Sequence, residues 1–85
     1  MTKGEYRVGI NFNPSTNSIV DRIKQQAADL IDLIEVIDTH TPQFDSTDAW
    51  QRTHEIGRLK ALAQTTVEEA AMWAVKAATK PKPEV

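Results

Sequence analysis

Two stretches of this chain carry apolar residues at helical spacing. Val20, Ile23, Ala27, Leu30, Ile34 and Ile37 recur every three or four positions and form one stripe of a helix expected over about 18–38. Ile31, Leu33 and Val36 widen that stripe, while Asp29, Asp32, Glu35 and Asp38 keep a polar face. Further on, Ile56, Leu59, Ala63, Val67, Ala70, Ala74 and Ala77 share a face of a second helix expected over 47–78, broadened by Leu62 and Trp73. Gly57 weakens this helix by about 1 kcal/mol relative to Ala without breaking it. Ahead of both, Tyr6, Val8, Ile10 and Phe12 alternate with Arg7, Gly9 and Asn11, and this period of two predicts a short extended segment.

Local chemistry supplies the boundaries. Pro14 forces Asn13 away from the helical region, and Ser15, Thr16, Asn17 and Ser18 are all good N-caps for the first helix. Pro42 ends that helix and holds Thr41 extended. Asp45, Ser46 and Thr47 offer the next cap, with Asp48 favourable in the first turn. Pro81 and Pro83 stop the second helix, which leaves KPKPEV as a tail. The expected fold is all-α and single-domain over 1–85: an N-terminal arm (1–17), a helix (18–38), a turn (39–46), an antiparallel second helix (47–78) and a tail (79–85). A second helix of that length spans roughly 48 Å. Its second half is rich in alanine, which lets neighbours approach closely but buries little area per residue. Two helices alone leave much of the apolar surface wet, and a second contact to further copies of the chain is favoured over a broad hairpin face.

Composition narrows the function. The chain has 85 residues, 40% hydrophobic and 26% charged, the balance of a folded protein. A chain this short buries only about 60% of its unfolded surface, so partner chains are the expected source of the missing stability. The formal net charge of −2 argues against a DNA-binding regulator. There is no cysteine, which excludes disulfides, thiolate metal sites and a Cys nucleophile. No apolar run approaches the ~18 residues of a membrane span. A basic-then-apolar leader is also missing, so a cytoplasmic protein is expected.

Candidates for catalysis are absent. His40 and His54 have no metal-ligand spacing with carboxylates and read as surface or capping residues. Asp29, Asp32 and Glu35 read as a solvated helix face rather than a metal stripe, and Glu68 and Glu69 as helix surface. The glycines at 4, 9 and 57 are too scattered for a phosphate loop. No catalytic residue, metal or cofactor is expected. What remains is a binding constellation: Phe12 in the arm, Asn13 beside it, and Arg22 and Lys24 in the first turns of the first helix. An aromatic beside amide and cationic groups suits a ligand with flat bases and phosphates. On the residue pattern alone, packing of Phe12 on the hairpin and a solvated Lys24 outweigh ligand contact. Trp73 reads as core or subunit packing rather than ligand stacking, and Lys76 as a charge favouring the helix C-terminus rather than an anion contact.

The stretches FNPSTNSIVDRIKQQAADLIDLIE (12–35) and VEEAAMWAVKAATKP (67–81) resemble the small phage anti-CBASS cyclic-nucleotide sponges, whose helical-hairpin domain is shared with the phage anti-Thoeris sponges. The resemblance covers roughly residues 10–80. It implies a protein of the host bacterial cytoplasm that binds cyclic oligonucleotide immune messengers and holds them uncleaved, so that the effector is starved of its signal. It also implies a homohexamer with pockets between subunits. Phe12 matches an aromatic, often Tyr in the family, that stacks on a base of a cyclic dinucleotide. Lys24 matches a lysine that contacts phosphate. A separate cyclic trinucleotide site is implied at Asn13, with Arg58 the matching candidate on the second helix. Cyclic ADP-ribose-type signals are the alternative ligand. The rival from another class is a helical module that inhibits a host protein through its exposed stripe. An enzyme that degrades the messenger lacks catalytic groups.

Overall fold

The computed structural model describes residues 1–39 and 47–83. His40, Thr41, Pro42, Asp45 and Ser46, and with them most of the expected turn and the second cap, lie outside the described residues, as do 84–85. Among the described residues there are three helices and no strand: α1 (Lys3–Val8), α2 (Ser18–Glu35) and α3 (Thr47–Ala78).

The arm corrects the expectation of an extended segment. Thr2 Oγ1 accepts the Glu5 N–H at 3.0 Å, and Glu5 Oε1 accepts the Thr2 N–H at 2.8 Å. This reciprocal capping box starts α1, and Gly9 ends it in the left-handed region at φ 64°. Alternation of apolar residues suits a strand only where a neighbouring strand accepts its hydrogen bonds. Here the local cap satisfies the backbone instead, and Tyr6 is left exposed. The helix then lies close against α2. A Cβ on Gly4 would stand 2.1 Å from the Ala28 carbonyl oxygen, so only glycine fits the crossing. The Gly4 N–H donates to Asp32 Oδ1 at 2.7 Å.

Asn17 caps α2 by accepting the Ile19 N–H at 3.0 Å. This helix stops at Glu35 rather than Asp38, because Lys60 Nζ donates to the Glu35 and Ile37 carbonyls at 3.0 and 2.7 Å and closes its end. Contacts of residue 35 with 60, 31 with 64 and 17 with 78 run in opposite order along α2 and α3, so the pair is an antiparallel hairpin.

The most buried residues follow the apolar stripes only in part. On α2 the buried face is Val20, Lys24, Ala28 and Ile31, and on α3 it is Gln64 and Ala71. Leu30, Ile37, Leu59, Ala70 and Ala77, all placed on the inner stripes by periodicity, are exposed. Gln64 is the pivot of the seam. Its Nε2 donates to the Ile31 carbonyl at 3.1 Å and to Glu35 Oε2 at 2.7 Å, and its Oε1 accepts from Lys3 Nζ at 3.0 Å. Asp32 and Glu35, expected on a solvated face, form part of the seat for α1 instead. The molecule measures 63 × 29 × 13 Å. The shortest dimension is about one helix diameter. Its radius of gyration is 17.3 Å, against about 12 Å for a compact chain of this length. This is a plate one layer of helices thick, with large apolar side chains exposed on α2 and α3.

Candidate functional site

Phe12 sits in the loop between α1 and α2. The Phe12 N–H donates to the Gly9 carbonyl at 2.9 Å and tightens the loop into a turn. Lys24, one turn into α2, runs beneath it and is 7% exposed. Its ammonium donates to the Gly9 carbonyl at 3.0 Å and to the Phe12 carbonyl in a short contact. The same nitrogen lies 5.4 Å from the centroid of the Phe12 ring. A buried ammonium is tolerated because carbonyl oxygens take its protons, and two of its three donors are used in this way. The ring itself is held out into solvent, 71% exposed.

Two clefts meet at Lys24 and Val75. The smaller, about 180 Å³, lies under Phe12 and is bordered by Asn13, Pro14, Val20 and Thr79. The larger, about 380 Å³, opens between α1 and α3 and is bordered by Arg7, Glu68, Met72 and Lys76. Arg7 is tied down there, with Nε 2.8 Å from Glu68 Oε1 and Nη2 3.2 Å from Thr65 Oγ1. Lys76 Nζ hangs at the rim, 5.5 Å over the Trp73 ring. The end of α3 is closed by the Thr79 hydroxyl on the Val75 carbonyl at 2.8 Å and by Asn17 Nδ2 on the Ala78 carbonyl at 3.4 Å.

The chain therefore brings Phe12, Asn13 and Lys24 together. Asn13 is occupied locally: its Nδ2 donates to the Asn17 carbonyl at 2.9 Å and to Asp21 Oδ1 at 3.0 Å, and its Oδ1 accepts from Ser15 Oγ at 2.6 Å. Arg58 is not near this cluster in one protomer. It sits on the other half of α3, roughly 25 Å along the axis from Val75. There it pairs with Glu55, Nε to Oε2 at 3.0 Å and Nη2 to Oε1 at 2.5 Å. These hydrogen bonds and the opposite charges hold the Glu55 carboxyl below and the Arg58 guanidinium above their usual ranges. A site that used both Asn13 and Arg58 needs a second subunit.

Arg7 and Lys76 are absent from the sequence-based site. The signal for Arg7 was the Thr2-to-Glu5 capping spacing, which makes the arm helical and turns Arg7 toward α3. For Lys76 it was the i,i+3 spacing from Trp73. His54 stacks on Trp50 with ring centroids 4.1 Å apart. Among the described residues no group of His, Asp and Glu converges as a metal site, and no helix is long and apolar enough to cross a membrane.

A family model for the Acb2/Tad1 hairpin domain matches residues 5–79. No curated protein and no solved structure gives a significant match.

Proposed function

The chain belongs to the Acb2/Tad1 hairpin-domain family, the phage sponges that counter CBASS and Thoeris immunity, and from that premise we propose that it sequesters cyclic dinucleotide immune messengers in the host cytoplasm without cleaving them. The observation that carries this reading is the exposed Phe12 ring fixed over the Lys24 ammonium at the junction of two clefts. The ring offers a face for a base, worth about 1–3 kcal/mol. A cation beside it favours a phosphodiester. Among the described residues lining the two clefts, the ionisable side chains are Arg7, Lys24, Glu68 and Lys76, and the Lys24 ammonium is held by carbonyls.

The pocket is completed by assembly. A plate one helix thick exposes Leu30, Leu33 and Ile37 on α2 and Leu59 and Leu62 on α3. Covering these faces with copies of the chain supplies the second wall of each cleft. In the homohexamer that the resemblance implies, a neighbouring subunit's Arg58 is the proposed partner of Asn13 in a separate cyclic trinucleotide site. The test is calorimetric titration with cyclic di- and trinucleotides and cyclic ADP-ribose isomers, followed by denaturation and mass identification of the released ligand. Tight binding of a cyclic dinucleotide recovered intact supports the proposal. Preference for a cyclic ADP-ribose isomer moves the chain to the Thoeris branch. Failure to bind any of them, with capture of a host protein instead, favours inhibition by direct contact.

A further inference from the structure

The larger cleft has a charge balance that a single lysine does not explain. Arg7 and Glu68 cancel within it, held 2.8 Å apart. Lys24 and Lys76 then leave two net positive charges among the lining residues. A cyclic dinucleotide carries two phosphodiester charges. The two lysines are also unequal. Lys24 is buried and gives two donors to the Gly9 and Phe12 carbonyls. Lys76 is exposed at the rim, and among the described residues its ammonium meets the face of Trp73. An exposed ammonium over an aromatic face keeps its N–H donors for a ligand at little desolvation cost.

Resting on the sponge reading, we infer that Lys76 is the residue that grips a ligand phosphate directly, while Lys24 serves as a positioning residue that props the Phe12 loop and adds charge from below. Trp73 restrains the Lys76 side chain at the cleft mouth. Its indole therefore senses the ammonium when a phosphate draws it inward.

The test uses the full-length chain with Trp50→Phe, so that Trp73 is its one tryptophan. Excitation at the red edge of tryptophan absorption, clear of the bases, follows titration with cyclic di-AMP, cyclic di-GMP and cyclic GMP–AMP. Binding should shift Trp73 emission. Lys76→Gln should weaken binding roughly tenfold, lower the salt slope of log K by about one and abolish the emission shift, with assembly and helicity intact. Lys76→Arg should restore affinity and slope. If the parent binds and Lys76→Gln binds with the same affinity and salt slope, Lys76 lies outside the site and the inference fails while the sponge reading stands. If the parent binds none of the three, the cyclic dinucleotide reading falls and the inference falls with it.

Discussion

Phe12 presents its ring from a loop shaped by two neighbours, Gly9 in the left-handed region and Lys24 beneath. Phe12→Ala should cost about 1–3 kcal/mol of cyclic dinucleotide affinity by calorimetry and leave the assembly intact by size-exclusion. Dissociation to monomers would mark Phe12 as a packing residue. Lys24→Met keeps the stem in its buried slot but strands two carbonyls. Amide exchange at Phe12 should then accelerate roughly tenfold, whereas unchanged protection would show that the loop holds itself. Gly4 is a further single-residue constraint, because a Cβ there meets backbone rather than a movable side chain. Gly4→Ala should destabilise the protein by about 1–3 kcal/mol in denaturant unfolding. A stability within a few tenths of the parent would mean that α1 shifts to make room.

At the scale of elements, α1 is fastened to the hairpin mainly by polar contacts: Lys3 to Glu35 at 2.7 Å, Lys3 to Gln64, Gly4 to Asp32, and Arg7 to Glu68 and Thr65. Glu35 is the most connected acid of this clasp. Hydrogen bonds from Gln64 and then Lys3 lower its pKa from 4.5 to about 2. A carboxyl that is more acidic when folded stabilises the fold above its unfolded pKa and loses that contribution as pH falls. Stability should therefore decline between pH about 4.5 and about 2, with α1 amides losing protection first. Glu35→Gln should flatten this decline. An equal decline in the variant would place the acid sensitivity in other carboxylates. The two long helices are legible in the sequence through their apolar spacing, and for α2 the Asn17 cap agrees with it. The short helix is not, since six residues from Lys3 to Val8 are too few to establish a 3.6 period, and the alternation of Tyr6, Val8, Ile10 and Phe12 speaks louder than one capping box. The seam departs from the apolar stripes for a related reason. Periodicity assigns polar residues to the outside, yet Gln64 and Lys24 are buried because backbone carbonyls and Glu35 satisfy them. Phe12 and Lys24 are legible as neighbours through composition and resemblance, while Arg7 and Lys76 reach the cleft through tertiary packing that the Thr2–Glu5 cap and the Trp73–Lys76 spacing signal only indirectly.

At the scale of the whole molecule, the chain is a 13 Å plate whose buried apolar residues, among those described, are Val20, Ala28, Ile31 and Ala71, a small core for its length. The exposed apolar residues of α2 and α3 are the surfaces through which the proposed assembly has copies join. Sedimentation should show a particle well above 9.5 kDa, with a melting temperature that rises with concentration. Leu62→Glu, on the outward side of α3, should lower both. A stable monomer at micromolar concentration would instead favour a hairpin that meets a host protein. The proposed assembly also bears on the chemistry, since a neighbouring copy is what it assigns as the second wall of both clefts. The measurement that bears most directly on the sponge reading is calorimetric titration of the assembled protein with cyclic dinucleotides, with the ligand recovered after denaturation and weighed by mass spectrometry. Saturable binding with the ligand returned at its original mass is the expected result. Absence of binding, or recovery of a linearised or hydrolysed nucleotide, would contradict it.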